Sequence, residues 1–360
     1  MGNWSGDGHG SGWLSTPVRL VALAIGLALA SVVPALVATA SADASATPRV
    51  AIRPSPGCAG AAPVPGMRTL NFDADNNNGS YAEQVPTTAV SGKALPVIFD
   101  FHAYQEPGQF QVTLSGLGAY GQTHGFVTIT PWIDGQHIPQ WLSSVGSRDM
   151  DWFGRLLTHV EATACVDENR VFVTGYSNGA FMSSAVACQY SSRVAAVAPV
   201  AGIQADSPCK MTRPVPVVAF HGTADPLVHY NGTPSKEAED LPAPNGSGET
   251  EAQEAKQFGA KGVFKKGRSI PQQAAAWAKR NGCSTRIRTT RIASDVTLLS
   301  WSCPHHADVE LFRVEGGGHT WPGSQESADI ASVVGPTTFQ ISADAEMWRF
   351  FHAHPLTSSD

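Results

Sequence analysis

Gly175-Tyr176-Ser177-Asn178-Gly179 is the only G-x-S-x-G pentapeptide in the chain. It follows the apolar run Arg170-Val171-Phe172-Val173-Thr174 and precedes a segment of helical pattern starting near Ala180. In that strand-turn-helix setting the glycines permit a turn too sharp for larger residues, and Ser177 is lifted out with its hydroxyl exposed. A serine hydroxyl is a weak nucleophile near neutral pH, so it needs a base in hydrogen-bond reach and a third group to orient that base. Asp225, in His221-Gly222-Thr223-Ala224-Asp225, follows the apolar run 215–220, and His319, in Gly316-Gly317-Gly318-His319, follows the run 309–314. Ser177 as nucleophile, His319 as base and Asp225 as orienting acid is the expected set. Among the competitors, Asp206 falls one strand too early and Asp308 precedes its strand. His221 ends its strand at a glycine turn and is expected to brace that loop; His102 is expected to be structural, and His305-His306 an exposed turn.

Acyl transfer also needs donors for the oxyanion of the tetrahedral intermediate. The N–H of Asn178, directly after the serine, is one candidate. The second comes from the turn His102-Ala103-Tyr104-Gln105, with Tyr104 as the expected donor. Trp321, two residues past His319, is a candidate substrate platform, with core packing an equal alternative, an ambiguity shared by Trp132, Trp141 and Trp152. No cysteine pair stands at C-x-x-C spacing, and Cys303 near His305 and His306 is a weak pattern, so neither a metal nor an organic cofactor is expected.

The elements that must hold these residues alternate. Strands are expected over 95–101, 125–130, 170–174, 194–200, 215–220 and 309–314, and helices over 149–165, 180–190, 271–281 and 343–352. Such alternation implies a mostly parallel central sheet covered by helices on both faces. Residues 231–269 break the pattern with Gly-, Glu- and Lys-rich sequence and are expected to form a surface insertion, either a plain loop or a lid. The catalytic domain is expected to span 67–355.

Arg19 followed by the apolar run 20–40 and the small residues Ala40-Ser41-Ala42 reads as a signal peptide over 1–42, with an uncleaved anchor as the alternative. An Ala-, Pro- and Ser-rich flexible leader, pinned to the body by Cys58, is expected over 43–66. All six cysteines lie beyond the signal, as expected of disulfides in an exported chain. The preferred pairing is Cys58 with Cys165, Cys188 with Cys209, and Cys283 with Cys303; only the last has a local argument, a short span between neighbouring elements. The net charge of −6 and charged fraction of 15% argue against a polyanion-binding surface, so nucleic acid is excluded as a partner.

Taken together, the chain resembles the secreted polyhydroxybutyrate depolymerase and feruloyl esterase group of α/β-hydrolases. The resemblance rests on Gly-Tyr-Ser-Asn-Gly, Val166-Asp167-Glu168-Asn169-Arg170-Val171, His221-Gly222-Thr223-Ala224-Asp225, Ala275 and Trp277 with Asn281-Gly282-Cys283, and Gly318-His319-Thr320-Trp321-Pro322-Gly323. It covers most of the chain from Cys58 to Phe351. The resemblance implies the α/β-hydrolase fold, the nucleophile at Ser177, the acid at Asp225 and the base at His319. The pattern is departed from at Ala103 and Ala180, where glycine is usual. The expectation is a secreted, monomeric serine carboxylesterase acting on feruloyl or acetyl esters of polysaccharide or on hydroxyalkanoate oligomers, without stable membrane association after signal cleavage. A catalytically weak glycan-binding relative and, more remotely, a serine peptidase are the alternatives.

Overall fold

The apolar runs expected as strands end up side by side in one sheet. The structure, a computed structural model, describes residues 50–60, 62–74, 77–205, 208–257 and 266–357. The expected signal peptide, the first part of the leader and Asp206 lie outside the described residues. Among those described, ten strands form a single sheet: β1 (Gly66–Asn71), β2 (Gly79–Val85), β3 (Leu95–Phe101), β4 (Val127–Ile133), β5 (Val166–Tyr176), β6 (Ala196–Val200), β7 (Val217–Gly222), β8 (Ile287–Arg291), β9 (Val296–Trp301) and β10 (Val309–Val314). Their spatial order is β1-β2-β4-β3-β5-β6-β7-β10-β9-β8. The pairings from β4 through β3, β5, β6 and β7 to β10 are parallel, and antiparallel strands close both edges.

The parallel strands are apolar on both faces because both faces are covered. Val97, Phe99 and Phe101 point into one core with Phe153, Leu156 and Trp277, while Ile98 points into the other with Phe172, Phe220, Phe312 and Phe351. The first core is capped by α3 (Arg148–Thr163), α4 (Asn178–Gln189) and α7 (Ile270–Arg280); the second by α8 (Ala343–Ala353) together with Leu114 of α1 (Gly108–Ser115) and Leu117 of α2 (Leu117–His124). Helix α3 shows why such a segment is helical. Ser147 caps it by accepting from the Met150 N–H, Asp149 and Asp151 sit in the positive first turn, and Trp152, Phe153, Leu156, Leu157 and Val160 are buried.

Disulfides join Cys58 to Cys165, Cys188 to Cys209, and Cys283 to Cys303. The first pins the described part of the leader, which is further fastened at the start of β5, where the Ser55 N–H donates to the Val166 carbonyl at 2.9 Å and the Arg53 N–H to Asp167 at 2.9 Å. The described part of the 231–269 insertion holds two short helices, α5 (Lys236–Glu239) and α6 (Glu251–Gln257). It is also tied inward: the Tyr104 hydroxyl donates to the Pro242 carbonyl at 2.7 Å.

Candidate active site

All the candidate catalytic residues leave the sheet at the C-terminal ends of its parallel strands, where an open α/β sheet places its sites. Ser177 is the single residue between β5 and α4, with φ 55° and ψ −113°. An L-residue adopts that backbone only under constraint. The constraint is close packing at the two glycines: a Cβ on Gly175 would lie 2.4 Å from the Gly179 carbonyl oxygen, and one on Gly179 would lie 2.1 Å from that of Phe101. The alanines that replace the usual glycines are accommodated without strain, since neither Ala103 nor Ala180 has positive φ.

Asp225 and His319, 94 residues apart, meet at 2.7 Å, with Nδ1–H donating to Oδ2. That bond commits Nδ1 and leaves Nε2 as the nitrogen able to accept a proton. His319 is held from behind as well. Tyr176, the residue before Ser177, donates its hydroxyl to the His319 carbonyl, and the two rings lie 5.0 Å apart. The end of β5 and the His319 loop are thereby set against each other.

Asp225 is almost fully buried and bonded on both oxygens. Oδ1 accepts from the Leu227 and Val228 N–H groups, each at 2.8 Å. Oδ2 accepts a second imidazole besides His319, since His221 Nε2 lies 3.1 Å away while also reaching the Val228 carbonyl at 2.8 Å. Burial alone would raise its pKa; the two histidines outweigh that and hold the carboxyl well below its ordinary range. Sequence reasoning gave His221 the bracing of its loop and missed its contact with the acid. The available signal was the i, i+4 spacing within His-Gly-Thr-Ala-Asp.

Of the two expected oxyanion donors, one directly follows Ser177 and the other follows β3, the strand paired with β5. Asn178 is the first residue of α4, so its N–H has no intrahelical acceptor. Its side chain instead pins the 134–141 loop, accepting from the Trp141 N–H at 2.6 Å and donating to the Trp141 carbonyl at 3.1 Å. Among the described residues, no acceptor in the chain engages the N–H of Tyr104. The next residue, Gln105, has φ 63° and is anchored through its N–H to the Pro139 carbonyl at 2.8 Å. His102 is buried, which lowers its pKa to about 4, and its Nδ1 donates to the Ala103 carbonyl at 2.7 Å.

Trp321 requires correction as a substrate platform. It is 1% exposed, and its indole N–H is spent on Asp344 at 2.9 Å, so it packs in the core. Trp132, Trp141 and Trp152 are buried too. Among the described residues no group of three or more His, Cys, Asp or Glu side chains is placed to hold a metal ion. No helix there is long and apolar enough to cross a membrane.

The architecture aligns with the acetyl xylan esterase from Aspergillus awamori at a TM-score of 0.53 and 15% identity, over 79% of this chain and 99% of that one. The fold is that of the α/β-hydrolases. The chain matches no protein-family model. Among curated proteins it is similar to feruloyl esterase B of Piromyces equi, 27% identical over 245 residues, or 65% of this chain and 41% of that protein. It is likewise similar to feruloyl esterase D of Neurospora crassa, 27% identical over 197 residues, or 51% of this chain and 67% of that one. The first of these matches thus spans less than half of the relative's own length.

Proposed function

We propose that the chain is a secreted carboxylic ester hydrolase working through an acyl-enzyme on Ser177. The observation that carries this reading is the 2.7 Å bond between His319 and the buried Asp225 carboxylate, made at the same sheet edge as a serine held at φ 55°. In the first step the Ser177 Oγ bonds to the ester carbonyl carbon while its proton passes to His319 Nε2. The N–H groups of Asn178 and Tyr104 take the oxyanion. Collapse of the intermediate breaks the bond to the alcohol, which leaves with the proton from His319. Water then repeats the sequence on the acyl-enzyme and releases the acid. Asp225 stays ionised throughout and stabilises the imidazolium.

The names of the similar proteins favour side-chain esters of plant polysaccharide, feruloyl or acetyl, as the substrate class, with hydroxyalkanoate oligomers as the alternative that uses the same residues. Three disulfides suit an oxidising compartment and thus export by a signal peptide over 1–42, with the catalytic domain over 67–355. The test is acid release from nitrophenyl acetate, methyl ferulate, acetylated xylan and hydroxybutyrate oligomers. Hydrolysis abolished in Ser177→Ala supports the mechanism, and the best ester names the class. Folded wild type that turns over none of them would leave a binding protein instead.

A further inference from the structure

The turn that carries the Tyr104 amide is held by a carboxyl with no cation beside it. Glu106 Oε2 accepts the Ala103 N–H at 2.8 Å, and the Glu106 N–H returns to the Ala103 carbonyl at 3.4 Å. That carbonyl also accepts from His102 Nδ1. Because the peptide unit is planar, the Ala103 carbonyl and the Tyr104 N–H point in opposite directions, so fixing one aims the other. Glu106 therefore grips Ala103 on both sides and sets the direction of the oxyanion donor. Glu106 is only 7% exposed, and Oε1 is buried with no hydrogen-bond partner.

We propose that Glu106 is the positioning residue of the oxyanion turn and that it works as a neutral carboxylic acid. The inference rests on the ester-hydrolase reading above. The charged or titratable groups that act on it are Asp100 at the end of β3 and Tyr176 at the end of β5, while the neutral His102 of its own turn shares the Ala103 carbonyl. None supplies a positive charge, and Asp100 is already engaged by Gln111 at 2.7 Å and Ser115 at 2.6 Å. Burial, against the pull of the Ala103 N–H and with Asp100 adding to it, raises the Glu106 carboxyl to about 8. Below that pH the turn carries no charge. Above it, a carboxylate sits under the position where negative charge develops in the transition state. Repulsion between like charges in a partly screened interior slows such a step by about ten-fold.

The experiment is the pH dependence of kcat and KM on methyl ferulate for wild type, Glu106→Gln and Glu106→Ala, with unfolding midpoints measured alongside. Wild type is expected to lose kcat as pH rises through about 8. Glu106→Ala should lower kcat by at least about ten-fold at pH 6.5, with KM changed little, as for a misaimed oxyanion donor. Glu106→Gln keeps an acceptor for the Ala103 N–H, so it should recover most of that loss and lack the alkaline fall. An alkaline fall kept by Glu106→Gln at an unchanged midpoint would assign the ionisation elsewhere and overturn the proposal. So would Glu106→Ala retaining full kcat while only its unfolding midpoint drops. Should Glu106→Ala not fold, the Glu106→Gln profile decides alone. Absence of ester turnover by folded wild type at every pH would remove the underlying reading and the proposal with it; turnover that Ser177→Ala abolishes keeps the two failures apart.

Discussion

Two buried carboxyls, Asp225 behind His319 and Glu106 behind Ala103, are built to opposite ends. Asp225 has both oxygens bonded, by two backbone N–H groups and two imidazoles, and is held ionised. Glu106 has one N–H bond, an orphan oxygen and another carboxyl for a neighbour, and is pushed toward the neutral acid. Their exposures, 3% and 7%, are nearly equal. Burial therefore does not decide the charge; the donors and neighbours do. The division suits acyl transfer, because a negative charge helps beneath an imidazolium and hinders beneath an oxyanion.

The contrast breaks most sharply at Asp225. Asp225→Asn removes the charge and offers His319 the wrong partner, so kcat should fall by roughly 10³- to 10⁴-fold at pH 7 with the fold retained, read by steady-state kinetics and circular dichroism. A fall of less than about ten-fold would mean that His319 does not rely on Asp225.

Stability against pH comes next. Burial raises the carboxyls of Asp100 and Asp344 to about 7 and that of Glu106 to about 8, each against hydrogen bonds that lower it. In the unfolded chain such groups titrate near 4, so between there and 7–8 the folded state holds protons that the unfolded state has lost. Stability from these groups is fully present below about pH 4 and drains away as pH rises through 7–8. Asp225 has the opposite sign: its contribution is present above its unfolded value and is lost as pH falls toward the depressed folded one. The urea midpoint should be higher at pH 5 than at pH 8, and Asp100→Asn should flatten that slope by a few kcal/mol. An unchanged slope would show Asp100 ionised in its core.

Smaller effects sharpen the picture. His221→Ala leaves the Val228 carbonyl and Asp225 each short of a donor, and should cost about 1–2 kcal/mol of stability and a few-fold in kcat. His221→Gln, able to donate from nearly the same place, should recover part of both. Asn178→Ala keeps the N–H and loses only the side-chain bonds to Trp141, so about 1 kcal/mol of stability should go, with kcat within a few-fold of wild type.

How much of this was legible depends on whether the chemistry sits in a run or in a meeting. The parallel strands were readable because burial on both faces forces continuous apolar runs such as Leu95–Phe101. The antiparallel strands toward either end of the sheet were not. β8 reads Ile-Arg-Thr-Thr-Arg and is exposed along most of its length, and β2 buries Glu83 against Arg68, so neither shows an apolar period. In the candidate site, the Ser177 turn announces itself through glycines that close packing demands. Glu106, only three residues beyond Ala103, gave no signal, because its role depends on a turn whose Gln105 adopts φ 63°. Trp321 was ambiguous for the converse reason: an indole near a base is equally at home in a cleft or in a core, and only Asp344, on a helix more than twenty residues later, draws it inward.

The central claim is that Ser177 is the nucleophile, and it is tested most directly by treating the folded protein with a serine-directed fluorophosphonate and measuring its intact mass. The account predicts a single phosphonyl group on the peptide containing Ser177, loss of ester hydrolysis in step with labelling, and no adduct on Ser177→Ala. Labelling of a different residue, or full labelling with hydrolysis intact, would contradict it.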